Sequence, residues 1–92
     1  MSKQSYFGQT EICLENGRKA KLYYYILHQK WEHCDSYGAR IAMQREDDWE
    51  TASVYHVTTS QVRIRTLLDK LMRNSVTPCT LREIVLEELN KY

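Results

Sequence analysis

The chain has 92 residues, with 13 Lys and Arg against 12 Asp and Glu and a net charge of +1. This length supports one domain with one thin core, since folding at this size removes roughly two-thirds of the chain's surface from water. The near-neutral charge argues against a dedicated nucleic-acid binder. The Leu, Ile, Val and Tyr content argues against disorder, and no run approaches the ~20 apolar residues of a membrane span.

The predicted elements begin at Thr10-Glu11-Ile12-Cys13-Leu14-Glu15, which alternates apolar and polar positions. Asn16-Gly17 follows, a pair that tolerates positive φ and predicts a two-residue type I′ hairpin. The next strand carries Tyr23-Tyr24-Tyr25-Ile26-Leu27, with large side chains on both faces, as expected of a central strand. A polar break, Lys30 to Ser36, precedes a third strand from Tyr37 to Arg45. There Gly38 marks a bulge or the close approach of another backbone. After the acidic turn Glu46-Asp47-Asp48-Trp49, Glu50–Val57 reads as a fourth strand.

The period then changes. Ile64, Leu67, Leu68, Leu71 and Met72 recur at helical spacing behind an N-cap at Thr59 or Ser60. A second helix starts either at Thr77-Pro78 or at a capping box formed by Thr80 and Glu83, and its stripe is Leu81, Ile84, Val85 and Leu89. The reading is α+β: a four-stranded antiparallel β-meander followed by two C-terminal helices packed on one sheet face. Strands are placed at 9–15, 18–29, 37–45 and 50–57, and helices at 60–73 and 78–90. The pattern leaves open which sheet face the helices cover, and therefore whether Tyr23 and Tyr25 or Tyr24 and Ile26 are exposed.

The chemistry-bearing residues assemble no familiar site. Cys13, Cys34 and Cys79 form no CxxC pair, and free thiols point to a reducing cytoplasm. Cys13 and Cys79 read as small packing residues. His28 with the loop His33-Cys34-Asp35 has no metal-ligand spacing, so no metal or cofactor is expected. No catalytic triad, carboxylate pair or phosphate-binding glycine loop can be placed, and the chain reads as a non-enzyme.

Two groups remain as contact surfaces. Trp31 and Trp49 fall at predicted turns and, with Tyr23 and Tyr25, are candidate contacts for a protein partner or for self-association as a homodimer. Arg63, Lys70 and Arg73 lie on the first helix and are candidate contacts for an anion or nucleic acid. The last helix carries Glu83, Glu87 and Glu88, which would repel phosphates and could instead pair with the basic helix.

The combination of Tyr23-Tyr24-Tyr25-Ile26-Leu27, Tyr37-Gly38-Ala39-Arg40-Ile41, Val57-Thr58-Thr59, Val76-Thr77-Pro78, Leu81-Arg82 and Val85–Leu89 resembles a family of small clostridial (Firmicutes) proteins of unknown function. Cys79-Thr80 departs from that pattern, which has an apolar and then a polar residue after the proline. The resemblance implies a bacterial, cytoplasmic, single-domain protein and carries no catalytic motif. The expected function is a non-enzymatic protein-interaction or regulatory module, with a nucleic-acid-binding regulator acting through the first helix as the alternative.

Overall fold

Tight turns between long alternating segments fold the first two-thirds of the chain into successive hairpins. A computed structural model describes residues 2–89. The elements are β1 (Ser2–Cys13), β2 (Lys19–Trp31), β3 (Cys34–Arg45), β4 (Asp48–Thr58), α1 (Gln61–Arg73) and α2 (Pro78–Leu89). The strands form one antiparallel sheet in the order β1-β2-β3-β4. The predicted meander and helical pair are therefore observed, with both helices packed on the sheet.

Three local readings are corrected. β1 starts at Ser2, well before residue 9, because the Lys3–Gly8 segment pairs along β2. Its hairpin is not type I′. Gly17 N–H donates to Leu14 O at 2.9 Å and Leu14 N–H to Arg18 O at 2.7 Å, which closes a three-residue loop with only Gly17 left-handed, at φ +81°. The polar break after β2 is a two-residue turn, Glu32-His33, because pairing continues to Trp31 opposite Cys34. Trp31, Cys34, Asp35 and Trp49 are thus strand residues rather than turn or loop residues.

The helices cover the face bearing Leu22, Tyr24 and Ile26 of β2 and Ala39, Ile41 and Met43 of β3. Ile64, Leu67, Leu68 and Leu71 of α1, with Leu81 and Val85 of α2, complete this core. Burying each such large aliphatic side chain contributes about 1.5–3 kcal/mol. Ser60 is the N-cap of α1, its Oγ accepting from Arg63 N–H at 3.2 Å. The far end closes with Val76 N–H donating to Leu71 O and Ser75 N–H to Met72 O, while Ser75 takes the left-handed φ of +50°. Pro78 is the first residue of α2; Thr80 Oγ1 donates back to Thr77 O at 3.3 Å and does not cap a later start.

Tyr24 ties these layers together. It is fully buried, and its hydroxyl donates to Val76 O, in the connection between the helices, at 3.0 Å. Loss of solvent around the phenol pushes its pKa up to about 12. Gly38 does mark a close backbone approach. A Cβ there would sit 2.2 Å from Val54 O and 3.0 Å from Tyr55 Cα. In this stretch β4 spends five residues, Val54 to Thr58, against three on β3, Tyr37 to Ala39, and His56 takes φ +54°.

Candidate functional site

The helices leave the other sheet face uncovered, and strand alternation fixes what it presents. One level across the four strands holds Tyr6, Tyr25, Arg40 and Ser53; the next holds Gln9, Tyr23, Ala42 and Thr51; the next holds Glu11, Lys21, Gln44 and Trp49. Tyr23 and Tyr25 are therefore the tyrosines of β2 on the open side, and Tyr24 and Ile26 are covered.

Aromatic rings pair across strands on this face. Tyr6 packs edge-on against Tyr25 at a centroid distance of 5.9 Å, and Tyr23 lies against Trp49 at 5.9 Å. Both pairs fall in the range of favourable aromatic contact. Tyr6 is 57% exposed and Trp49 56%, whereas Ala42 between them and Leu27 beyond Tyr25 are each only 6% exposed. Several polar groups pair within the face. Tyr6 Oη donates to Gln9 Oε1 at 2.9 Å, and Tyr23 Oη to Gln44 Oε1 at 3.4 Å. Arg40 reaches both ways, its guanidinium donating to Ser53 Oγ at 2.8 Å and to Gln4 Oε1 at 2.5 Å.

Of the contact residues expected from sequence, Tyr23, Tyr25 and Trp49 come together here. Trp31 ends β2, and its side chain lies outside the described residues. Sequence reasoning missed Tyr6 and Arg40. Gln4-Ser5-Tyr6-Phe7 shows no apolar–polar alternation that would signal Tyr6, and its pairing is irregular between Tyr6 and Gly8.

The basic residues of α1 have carboxylate neighbours. Lys70 Nζ is 2.6 Å from Glu88 Oε1 on α2, and Arg73 Nε is 2.9 Å from Asp69 Oδ2 one turn back. Arg63 is exposed near the start of α1. Lys70 and Glu88 line a cleft of about 320 Å³ between α1, the end of α2 and the end of β4, with Val57, Val62, Leu67 and Leu89 as its apolar walls.

The histidine and cysteine candidates separate. His28 Nε2 is 2.9 Å from Asp35 Oδ1, and its ring stacks on Tyr37 at 4.9 Å. His56 Nδ1 lies 2.9 Å from Ser36 Oγ. Among the described residues, no group of three or more His, Cys, Asp or Glu is placed to hold a metal ion. Cys13, Cys34 and Cys79 are free and exposed, which corrects the packing role expected for Cys13 and Cys79. Cys13 lies on an edge strand opposite Lys19, and Cys79 in the first turn of α2, its Sγ 3.2 Å from Thr77 Oγ1.

These features define a small α+β protein with a one-sided sheet and an open aromatic face. The chain belongs to a family of unknown function, DUF6514, whose model matches residues 3–91. Neither the curated proteins nor the solved structures give a match. Among the described residues, no helix is long and apolar enough to cross a membrane.

Proposed function

We propose that the chain is a non-enzymatic protein-interaction or regulatory module, and that its contact surface is the open face of the sheet. The observation that carries this reading is the exposure of Tyr6 and Trp49 on a face where Tyr6, Tyr23 and Arg40 are already hydrogen-bonded to neighbouring side chains. Such a face can be dried by a partner at small desolvation cost, and exposed Trp and Tyr are the side chains that most often anchor interfaces. A bacterial, clostridial origin and a cytoplasmic location belong to the same reading, supported by the sequence resemblance and by the free thiols.

Site-specific photo-crosslinking tests it. A crosslinker at position 6 or 49 is expected to trap a protein adduct, whereas one at Arg82, exposed on α2, is not. Equal yields from both surfaces, or none from the open face, would reject the reading. The alternative, a nucleic-acid-binding regulator using α1, predicts salt-sensitive binding weakened by Arg63→Glu or Lys70→Glu. The carboxylates beside Lys70 and Arg73 weigh against it.

A further inference from the structure

We infer that the partner of the open face is a second copy of this chain, packed face to face about a two-fold axis that runs along the strands between β2 and β3. The inference rests on the reading of that face as the contact surface.

Register supplies the first argument. On the open face β2 presents the rings of Tyr23 and Tyr25, and β3 beside it presents Ala42 and Arg40. An axis along the strands sets β2 of each copy over β3 of the other and preserves level. Cross-strand neighbours within one copy therefore become facing residues between copies. Tyr23 lies over Ala42, and Tyr25 over the Arg40 guanidinium, a cation–π geometry. At the flanks, Tyr6 lies over Ser53. A ring thus meets a small side chain at Tyr23 and a cation at Tyr25, each contact occurring twice by symmetry, as in an isologous interface.

Charge is the second argument. Arg18, just before β2, joins Lys19 and Lys21 at its start, and the β3–β4 turn with the first residue of β4, at the same end of the sheet, carries Glu46, Asp47 and Asp48. Within one copy the two groups touch through the Arg18–Glu46 ion pair. They lie on opposite sides of the axis, so in the pair each basic group faces the other copy's acidic one. Size is the third argument. Strands about 4.8 Å apart, rising about 3.3 Å per residue, give this four-stranded face an area of about 650 Å². Two faces bury about 1,300 Å², within the range of stable specific interfaces. Stacked sheets usually cross at about 30°, which inclines the axis about 15° from the strands, so the match is closest at the central Tyr25 and Arg40.

Light scattering and sedimentation of the whole chain decide the matter. The expected mass is twice the 11.0 kDa of one chain. Tyr6→Asp with Trp49→Asp changes two exposed residues and is expected to leave circular dichroism unchanged while weakening association about thirtyfold or more. Lys19→Glu and Asp47→Lys are each expected to weaken it about three- to tenfold, and the two together to restore it. A dimer indifferent to the aspartates, or singles not rescued by their combination, would overturn the face-to-face pair. So would a strict monomer at high concentration. If that monomer still gave open-face crosslinks to another protein, the contact-surface reading would stand without the second copy. If it gave none, both would fall. Binding of a single-stranded oligonucleotide by the monomer would also overturn the second copy.

Discussion

The two faces of the sheet are built from the same strands and even from neighbouring residues, yet they are different kinds of surface. Tyr24 is sealed under the helices with its hydroxyl on a backbone carbonyl, while Tyr23 and Tyr25, one residue away on either side, lie on a face with no second layer. On the covered face, aliphatic side chains from α1 and α2 interdigitate with the sheet, and packing carries the energy. On the open face, rings and amides pair with one another across the strands. A tyrosine's role here follows from strand parity, not from residue type.

The sharpest break of this comparison is to make one kind of truncation on each face. Leu68→Ala empties fully buried volume and is expected to lower unfolding free energy by ~3–5 kcal/mol. Trp49→Ala removes a larger side chain and is expected to cost less than ~1 kcal/mol. Denaturant unfolding at dilutions where the chain is monomeric checks both; comparable losses would mean that the open face is part of the core. Gly38→Ala comes next. Its Cβ meets backbone rather than a flexible side chain, so the Val54–Thr58 bulge must shift, and a loss of about 2–3 kcal/mol is expected in the same assay.

Much of this division was legible from residues alone. The alternation in Tyr37–Met43 and the helical spacing of Ile64 to Leu71 gave the meander, the helices and most of the core. Gly38 announced the close backbone approach. The choice of covered face was not legible, because Tyr23-Tyr24-Tyr25-Ile26-Leu27 is apolar on both sides and parity alone assigns no inside. Turn geometry was partly hidden as well. Asn16-Gly17 suits two loops, and the longer one was selected by the pairing of Leu14 with Arg18. At Glu32-His33 a polar stretch looked like a loop, although its strands pair up to the turn. Of the contact surface, Tyr23, Tyr25 and Trp49 could be named from sequence. Tyr6 could not, because the first strand is polar and irregular.

Alkaline titration sharpens the contrast between buried and open tyrosines. An unfolded tyrosine ionises near pH 10, and Tyr24 in the folded chain near 12. Below pH 10 both states keep the proton and stability is unaffected. Between those values the unfolded state releases it while the folded state retains it, so stability falls as pH rises, by ~2–3 kcal/mol in all. Tyr24→Phe is expected to abolish this part of the slope. It should also cost about 1–3 kcal/mol at neutral pH by stranding Val76 O. A slope that persists in Tyr24→Phe would assign the effect elsewhere.

The smallest expected effect lies at the seam between the helices. Lys70 and Glu88 are close enough for a charge-assisted hydrogen bond, but the lysine is half exposed, so water and salt screen the pair. A double-mutant cycle with Lys70→Met and Glu88→Gln is expected to give a coupling of about 0.5–1 kcal/mol that shrinks with added salt. The pair also bears on α1 as an anion-binding surface. If Lys70 served phosphates, Glu88→Gln would release it and raise affinity for an oligonucleotide. If it instead orients α2 against α1, the substitution loosens the helices and leaves oligonucleotide binding unchanged. The latter outcome is expected, because Arg73 beside it is likewise paired, with Asp69.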